Sequence, residues 1–76
     1  MNPERLVTMA NDIAAFFAAE PEREASIDGI ATHLKKFWEP RMRQQLAAHV
    51  QAHGAAGLNE LAAAAVARLA TIGSRT

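Results

Sequence analysis

The chain has 76 residues, no cysteine, and eight acidic against eight basic residues, so its formal net charge is zero. A chain of this length forms one domain at most and buries only about 60% of its unfolded surface, which makes it marginally stable alone. The lack of cysteine excludes disulfides, thiolate metal sites and iron–sulfur ligation by this chain, and the neutral charge argues against a general nucleic-acid or anionic-membrane binder.

The first predicted helix begins at Asn2 and Pro3 and runs to about Ala19. Asparagine is a preferred N-cap, and proline suits the first helical position. One face of this helix carries the apolar residues Leu6, Met9, Ala10, Ile13, Phe16 and Phe17. The opposite face carries Thr8, Asn11, Asp12 and Ala15. The 3.6-residue period of the first set predicts a helix that faces a core.

The Glu20-Pro21-Glu22 segment ends this helix and starts a second one, with acidic residues at the favourable end of the new helix dipole. The core face of the second helix is the clearest in the chain: Ile27, Ile30, Ala31, Leu34, Phe37 and Trp38. Gly29 falls on the opposite face, near Ser26, Thr32 and Lys36. It is either a tolerated glycine, which we favour, or a point where a neighbouring backbone comes close.

Pro40 disfavours helical conformation at Glu39, so the second helix should end near Trp38 and a third should start at Pro40. This third helix runs to about His53 and stops at Gly54. One side of this helix carries Met42, Leu46, His49, Val50 and His53, with the two histidines at the edge of the core.

After a loop over residues 54–57, Leu58 and Asn59 supply a flanking apolar residue and an N-cap for a fourth helix, which Gly73 ends before a short tail. Its predicted core face is Leu58, Leu61, Ala62, Ala65, Leu69 and Ile72. The opposite face holds Ala63, Ala64, Ala67 and Ala70. These alanines either express helix propensity, which we favour, or let another helix approach closely.

These elements predict an all-α fold, a compact bundle of four short helices that forms a single domain over residues 1–76. No segment resembles a signal peptide, and no apolar run approaches about 20 residues. We therefore expect a soluble, cytoplasmic protein with no membrane partner.

The inventory of reactive residues is poor, so we expect neither catalysis nor a cofactor. Ser26 and Ser74 are the only serines, and no glycine-rich phosphate loop follows a strand. His49 and His53 have the spacing of two zinc ligands, but the residues between them include no glutamate and a third ligand is not evident. We therefore expect no metal site.

The candidate functional region is the corner between the second and third helices. The predicted partner-binding residues are Lys35, Lys36, Trp38, Arg41 and Arg43. Lysines suit a helix C-terminus, whereas Arg41 and Arg43 in a first turn each cost about 0.3–1 kcal/mol against the helix dipole. Either these arginines are a solvated helix start, or an acidic partner surface or a phosphate completes the site.

The same corner also allows an alternative function, a small nucleic-acid-binding module that uses residues 35–43. Arginine and lysine interleaved with aromatic rings can contact phosphates and stack on bases. Against this alternative, Phe37 and Trp38 are needed on the core face, and four charges on a neutral domain give weak electrostatic affinity. A protein partner, with no nucleic acid, is the favoured interpretation.

Several segments together resemble a known family. They are Met9-Ala10-Asn11, Ile13, Phe16-Phe17, Gly29-Ile30-Ala31, His33-Leu34, Phe37-Trp38-Glu39-Pro40-Arg41-Met42-Arg43 and Gly57-Leu58. In this combination the chain resembles the delta subunit of NAD-dependent, molybdenum-containing formate dehydrogenase, over roughly residues 7–70. The sequence departs from that pattern at Glu20 before Pro21 and at His53 before Gly54.

The resemblance implies a cytoplasmic bacterial accessory subunit that is not itself an enzyme and carries no cofactor. It would bind the large catalytic subunit, where formate is oxidised at a molybdenum centre, and would support assembly or stability of the complex. Other subunits would carry flavin and pass electrons to NAD. Whether the chain is a transient maturation factor or a permanent subunit is left open.

Overall fold

Four helices build the protein, whose structure is a computed structural model that describes residues 2–73 and the side chains of residues 2–69. They are α1 (Pro3–Phe17), α2 (Arg23–Phe37), α3 (Pro40–His53) and α4 (Glu60–Gly73), and no strand occurs within residues 2–73. The Cα radius of gyration is 11.2 Å, close to the value of about 11 Å expected for a compact domain of this length. The predicted all-α bundle of four short helices is confirmed.

Local signals set the helix boundaries where the sequence predicted them. The Oδ1 atom of Asn2 accepts a hydrogen bond of 2.8 Å from the N–H of Glu4, so Asn2 caps α1 with proline in the first helical position. Gly54 ends α3 with a φ of 79°, a conformation that glycine adopts without steric cost. The one small difference is the end of α1, which lies at Phe17 rather than about Ala19.

A single apolar core lies between the four helices. Its fully buried large side chains include Leu6 from α1, Ile30 and Leu34 from α2, and Leu46 from α3. Helix α4 contributes Ala62, Ala65 and Val66. Since alanine is small, α4 comes close to α2, and these two helices make the most extensive helix pair of the bundle. The predicted α4 face was right at both alanines but omitted Val66.

Two phenylalanines predicted in the core are exposed, and those predictions were wrong. Phe16 is 77% exposed and Phe37 is 72% exposed. Each is followed by another aromatic residue: Phe17 is the next residue of α1, where adjacent side chains point about 100° apart, and Trp38 is an extended residue just after α2. In each pair the neighbour packs inward and the phenylalanine is left outside.

Ser26 was predicted on the polar face of α2, but it is buried. Its hydroxyl donates a hydrogen bond of 2.8 Å to the backbone carbonyl of Phe17, one of the last carbonyls of α1. A helix end leaves its last carbonyls without helical partners, so this bond satisfies one of them and fixes the turn between α1 and α2.

Helix α4 partly matches its predicted faces. Leu58, Leu61 and Leu69 pack partly buried against the core, while Ala67 is exposed as expected. Ala64, predicted on the outer face, also packs partly against the core. The side chains of Ala70 and Ile72, and the tail after Gly73, lie outside the described residues. None of the helices described is long and apolar enough to cross a membrane.

Candidate functional site

The corner between α2 and α3 is built by two extended residues. Trp38 has φ −89° and ψ 140°, and Glu39 has φ −65° and ψ 148°. Pro40 imposes an extended conformation on Glu39, the residue before it. The carbonyl of Glu39 accepts hydrogen bonds of 3.0 and 3.2 Å from the N–H groups of Met42 and Arg43, which closes the first turn of α3. The chain therefore changes direction within two residues.

Trp38 anchors this corner in the core. The residue is 6% exposed, and its backbone N–H donates a hydrogen bond of 3.0 Å to the carbonyl of Leu34. The large indole surface thus holds the end of α2 and the start of α3 against the rest of the bundle. A direct contact between Trp38 and a partner would have to use only the small exposed edge of the ring.

The four basic residues of the corner, Lys35, Lys36, Arg41 and Arg43, lie around this anchor. Lys35, Lys36 and Arg41 are exposed, and Arg43 is partly buried. Within residues 2–69, no acidic side chain forms an ion pair with any of the four, whereas Arg23 and Arg68 are both paired. The corner therefore carries four cations and one exposed carboxylate, Glu39, with no ion pair among the described residues.

The guanidinium of Arg43 also has a hydrogen-bond donor without an acceptor among the described residues. Its Nε atom is buried and has no hydrogen-bond partner among the described residues. A buried donor without a partner is unfavourable, and a carboxylate is the acceptor that suits a guanidinium best. The first turn of α3 contains no acidic residue, and the side chain of Glu39 makes no capping hydrogen bond. The helix dipole therefore adds to the positive potential near Arg41 and Arg43.

A second surface of interest consists of aromatic rings that run from α1 to α2. The ring centroids of Phe16 and Phe17 are 5.2 Å apart, those of Phe17 and His33 are 6.3 Å apart, and those of His33 and Phe37 are 4.8 Å apart. We call Ile13, Phe16, Phe17, His33 and Phe37 the aromatic surface. Sequence reasoning missed it because Phe16 and Phe37 were assigned to the core. The doublets Phe16-Phe17 and Phe37-Trp38 were the available signal, since two large adjacent side chains point in different directions and a small core need not bury both.

A shallow cavity of about 330 Å³ opens within the aromatic surface, lined by Asp12, Ile13, Phe16, Phe17 and His33. Its lining is mostly apolar, with one carboxylate, one imidazole, and no serine, threonine or lysine. The cavity therefore suits an apolar side chain better than a reaction.

Gly29 determines how closely α1 and α2 approach beneath this surface. A Cβ atom at Gly29 would lie 2.7 Å from the Cδ1 and Cε1 atoms of Phe17. Such a distance is well inside van der Waals contact, so only glycine allows the ring to lie where it does. The favoured prediction of a merely tolerated glycine was wrong, and the close neighbour is a side chain rather than a backbone.

The histidines do not form a metal centre among the described residues. The rings of His49 and His53 lie 4.9 Å apart, as their spacing predicted, but His33 is in the aromatic surface. No group of three histidine, aspartate or glutamate side chains that could hold a metal ion occurs within the part of the chain that the structure describes.

Two ion pairs join α2 to α4, away from the corner. The guanidinium of Arg23 donates a hydrogen bond to the carboxylate of Glu60, and this bond raises the pKa of the Arg23 guanidinium. Arg68 donates a hydrogen bond of 2.6 Å to Glu24, which lowers the pKa of the Glu24 carboxyl below its ordinary value. Both pairs are largely exposed, so they contribute modestly to stability.

Comparison with known proteins identifies one family. A family model described as NADH-dependent formate dehydrogenase delta subunit, FdsD, matches residues 5–66, which cover α1 to α3 and the first half of α4. No curated protein and no solved structure gives a significant match. The matched range contains the whole corner and the whole aromatic surface.

Proposed function

Because the chain belongs to the family of NADH-dependent formate dehydrogenase delta subunits, we propose that it is a non-catalytic accessory subunit of such an enzyme. In this proposal it binds the large, molybdenum-containing catalytic subunit in the cytoplasm and supports assembly or stability of the complex. The chain itself holds no cofactor. Its docking residues are Lys35, Lys36, Arg41 and Arg43, positioned by Trp38.

The observation that carries this proposal is the set of four unpaired basic side chains around a buried tryptophan. Among the described residues these charges have no ion-pair partner, and the Nε atom of Arg43 is a buried donor without an acceptor. An acidic partner surface would supply Coulomb attraction and bidentate hydrogen bonds. The charges therefore support binding to a protein rather than an intramolecular role.

The proposal is tested by expressing a tagged copy in its own cells and measuring what co-purifies. Recovery of a complex containing molybdenum and flavin subunits supports a permanent subunit. Loss of cofactor loading in a deletion strain, without co-purification, supports a transient maturation factor. If formate-dependent reduction of NAD and cofactor content are unchanged by deletion and no subunit is recovered, the proposal is wrong.

The docking residues are tested with the double variant R41A/R43A. We expect it to weaken binding by roughly 2 kcal/mol or more if both arginines become buried ion pairs, and to leave the melting temperature unchanged or slightly higher. R41K/R43K keeps the charges but loses bidentate geometry, so it should bind with intermediate affinity. The matched control is Q44A/Q51A, which changes two exposed residues of the same helix. Undiminished binding by R41A/R43A would show that the corner is only a solvated helix start.

Nucleic-acid binding by the corner is the weaker alternative. Trp38 is buried and cannot stack on a base, although Phe37 is exposed. The formal net charge of zero gives little electrostatic affinity for phosphates. Titration of the purified chain with a labelled single-stranded oligonucleotide at low salt distinguishes the two: salt-dependent micromolar binding would favour the alternative.

A further inference from the structure

We propose that the aromatic surface is the apolar centre of the interface with the enzyme, and that the basic corner is part of its rim. This inference rests on the proposed function. It adds the aromatic surface to the docking residues of the basic corner, and it specifies the chemistry of the partner surface that the rings contact. The partner should offer an apolar pocket that accepts two phenyl rings, with a carboxylate near Lys36 and a cation near Asp12.

The first observation is the exposure of two large rings on one side of a small domain. Phe16 and Phe37 are the large hydrophobic side chains left exposed among those described, at 77% and 72%. They are linked through Phe17 and His33 by successive ring contacts, so they belong to one surface rather than to two isolated positions. Contiguous exposed apolar side chains mark interaction sites, whereas scattered ones do not.

The second observation is that the surface is already organised for binding. Phe17 packs against Gly29 and His33, and Phe16 lies edge-on to Phe17 with an interplanar angle of 88°. Phenyl rings have few rotatable bonds, so holding them in place costs little further conformational entropy when a partner binds. Aromatic anchors of this kind commonly form the centre of protein interfaces.

The third observation is the distribution of charge around the rings. Asp12 lines the cavity on the α1 side. Lys36 lies on the α2 side, three residues after His33 and therefore one helical turn away. Lys36 directly precedes Phe37 in α2 and belongs to the basic corner, so the aromatic surface and the basic corner meet at the end of α2. An apolar centre with a charged rim is the usual organisation of a protein interface.

A second copy of this chain is a poorer occupant. Two-fold pairing could place Asp12 of one copy near Lys36 of the other, so charge alone does not exclude it. The exposed parts of Phe16 and Phe37 amount to roughly 300 Å², however, whereas a stable interface buries about 800 Å² on each partner. The two rings are therefore too small for a stable two-fold interface by themselves, and self-pairing that extended onto the basic corner would bring cations against cations.

The test compares binding to the formate dehydrogenase complex purified without this chain. Burial of each ring should strengthen binding by about tenfold to a hundredfold, so F16A/F37A should raise the dissociation constant by about a hundredfold or more, with an unchanged circular dichroism spectrum. The matched control is A15S/A48S, which alters exposed positions on α1 and α3 outside the aromatic surface. Unchanged affinity of F16A/F37A, while the unmodified chain binds, would overturn this inference and leave the proposed function intact. If the unmodified chain does not bind the complex, the proposed function fails instead.

A charge exchange tests which protein binds the aromatic surface without changing either phenylalanine. It replaces the first test if F16A/F37A does not fold. In D12K/K36E the two charges change places, so a two-fold dimer of this chain would remain complementary, whereas a different partner would meet two mismatched charges. We expect the exchange to raise the dissociation constant for the complex about tenfold and the purified chain to sediment as a monomer. Sedimentation of the unmodified chain as a dimer that F16A converts to monomer, or unchanged affinity of D12K/K36E for the complex, would overturn the proposed occupant.

Discussion

The side-chain carbonyl of Asn11 in α1 accepts a hydrogen bond of 2.6 Å from the backbone N–H of Asn59, the residue before α4. The amide nitrogen of the same side chain donates a bond of 2.9 Å to the carbonyl of Gly57. One polar residue of α1 thereby fixes the end of the loop that leads into α4. Asn59 in turn caps α4, because its side chain accepts a 2.8 Å hydrogen bond from the N–H of Leu61.

Replacing Asn11 with alanine should remove both contacts to the loop. Each hydrogen bond has a net value of about 0.5–1.5 kcal/mol, so we expect the free energy of unfolding to fall by about 1–2 kcal/mol. Hydrogen exchange at the amide of Asn59 should accelerate severalfold. The amide of Glu4, which is bonded to Asn2 at the start of α1, is the internal control and should be unaffected. Equal protection of Asn59 in both proteins would contradict this account of the loop.

Gly29→Ala should destabilise the protein although alanine favours helix. The added Cβ would meet the ring of Phe17 at 2.7 Å, and overpacking of this kind costs about 1–3 kcal/mol. The gain in helix propensity is about 1 kcal/mol, so we expect a net loss of roughly 1 kcal/mol. In a Phe17→Ala background the ring is absent, and the same change should become stabilising. Urea denaturation of the four proteins in a double-mutant cycle measures the effect of Gly29→Ala on the free energy of unfolding in both backgrounds. If the effect has the same sign in both, the ring of Phe17 moves aside freely.

Trp38→Ala and Phe37→Ala should differ sharply although the residues are adjacent. Trp38 is 6% exposed, and truncation of a buried tryptophan costs about 3–5 kcal/mol. Phe37 is 72% exposed, so its truncation should change the free energy of unfolding by less than about 0.5 kcal/mol. Chemical denaturation of both variants makes the comparison. A large loss for Phe37→Ala would mean that its ring supports the fold.

The Glu24–Arg68 ion pair predicts a dependence of stability on pH. The hydrogen bond from Arg68 lowers the pKa of Glu24 in the folded state from the ordinary value of 4.5. A carboxyl with a lowered folded-state pKa stabilises the protein above its unfolded pKa, and that contribution is lost as the pH falls through the folded value. The difference in melting temperature between the unmodified chain and Glu24→Gln should therefore shrink between about pH 7 and about pH 3.

The control for this titration is Asp28→Asn, an exposed carboxylate on the same helix without an ion pair among the described residues. If Glu24→Gln and Asp28→Asn change the melting temperature equally at every pH, the ion pair with Arg68 contributes nothing in solution. High salt should also reduce the difference in melting temperature between the unmodified chain and Glu24→Gln, because both side chains of the pair are accessible to solvent.

Signals within a few residues determined much of this protein. Three local signals mark helix boundaries: Asn2 accepts a capping hydrogen bond, Pro40 restricts its own torsion and that of Glu39, and Gly54 adopts a positive φ that other residues disfavour. The apolar period was sufficient to place Ile27, Ile30 and Leu34 in the core. The cluster of basic residues at the corner was likewise visible, since it depends only on adjacent positions.

The tertiary structure alone decided which member of each aromatic doublet is buried. A helical wheel places Phe37 within the same broad apolar arc as Trp38, and only the position of the neighbouring helices selects the one that fits. The hydrogen-bond partners of Asn11 and Ser26 likewise could not be predicted from the sequence. Asn11 contacts residues more than forty positions away, and Ser26 contacts the end of the preceding helix. A periodicity records how a residue is oriented on its own helix, whereas exposure depends on how far the other helices extend beside it.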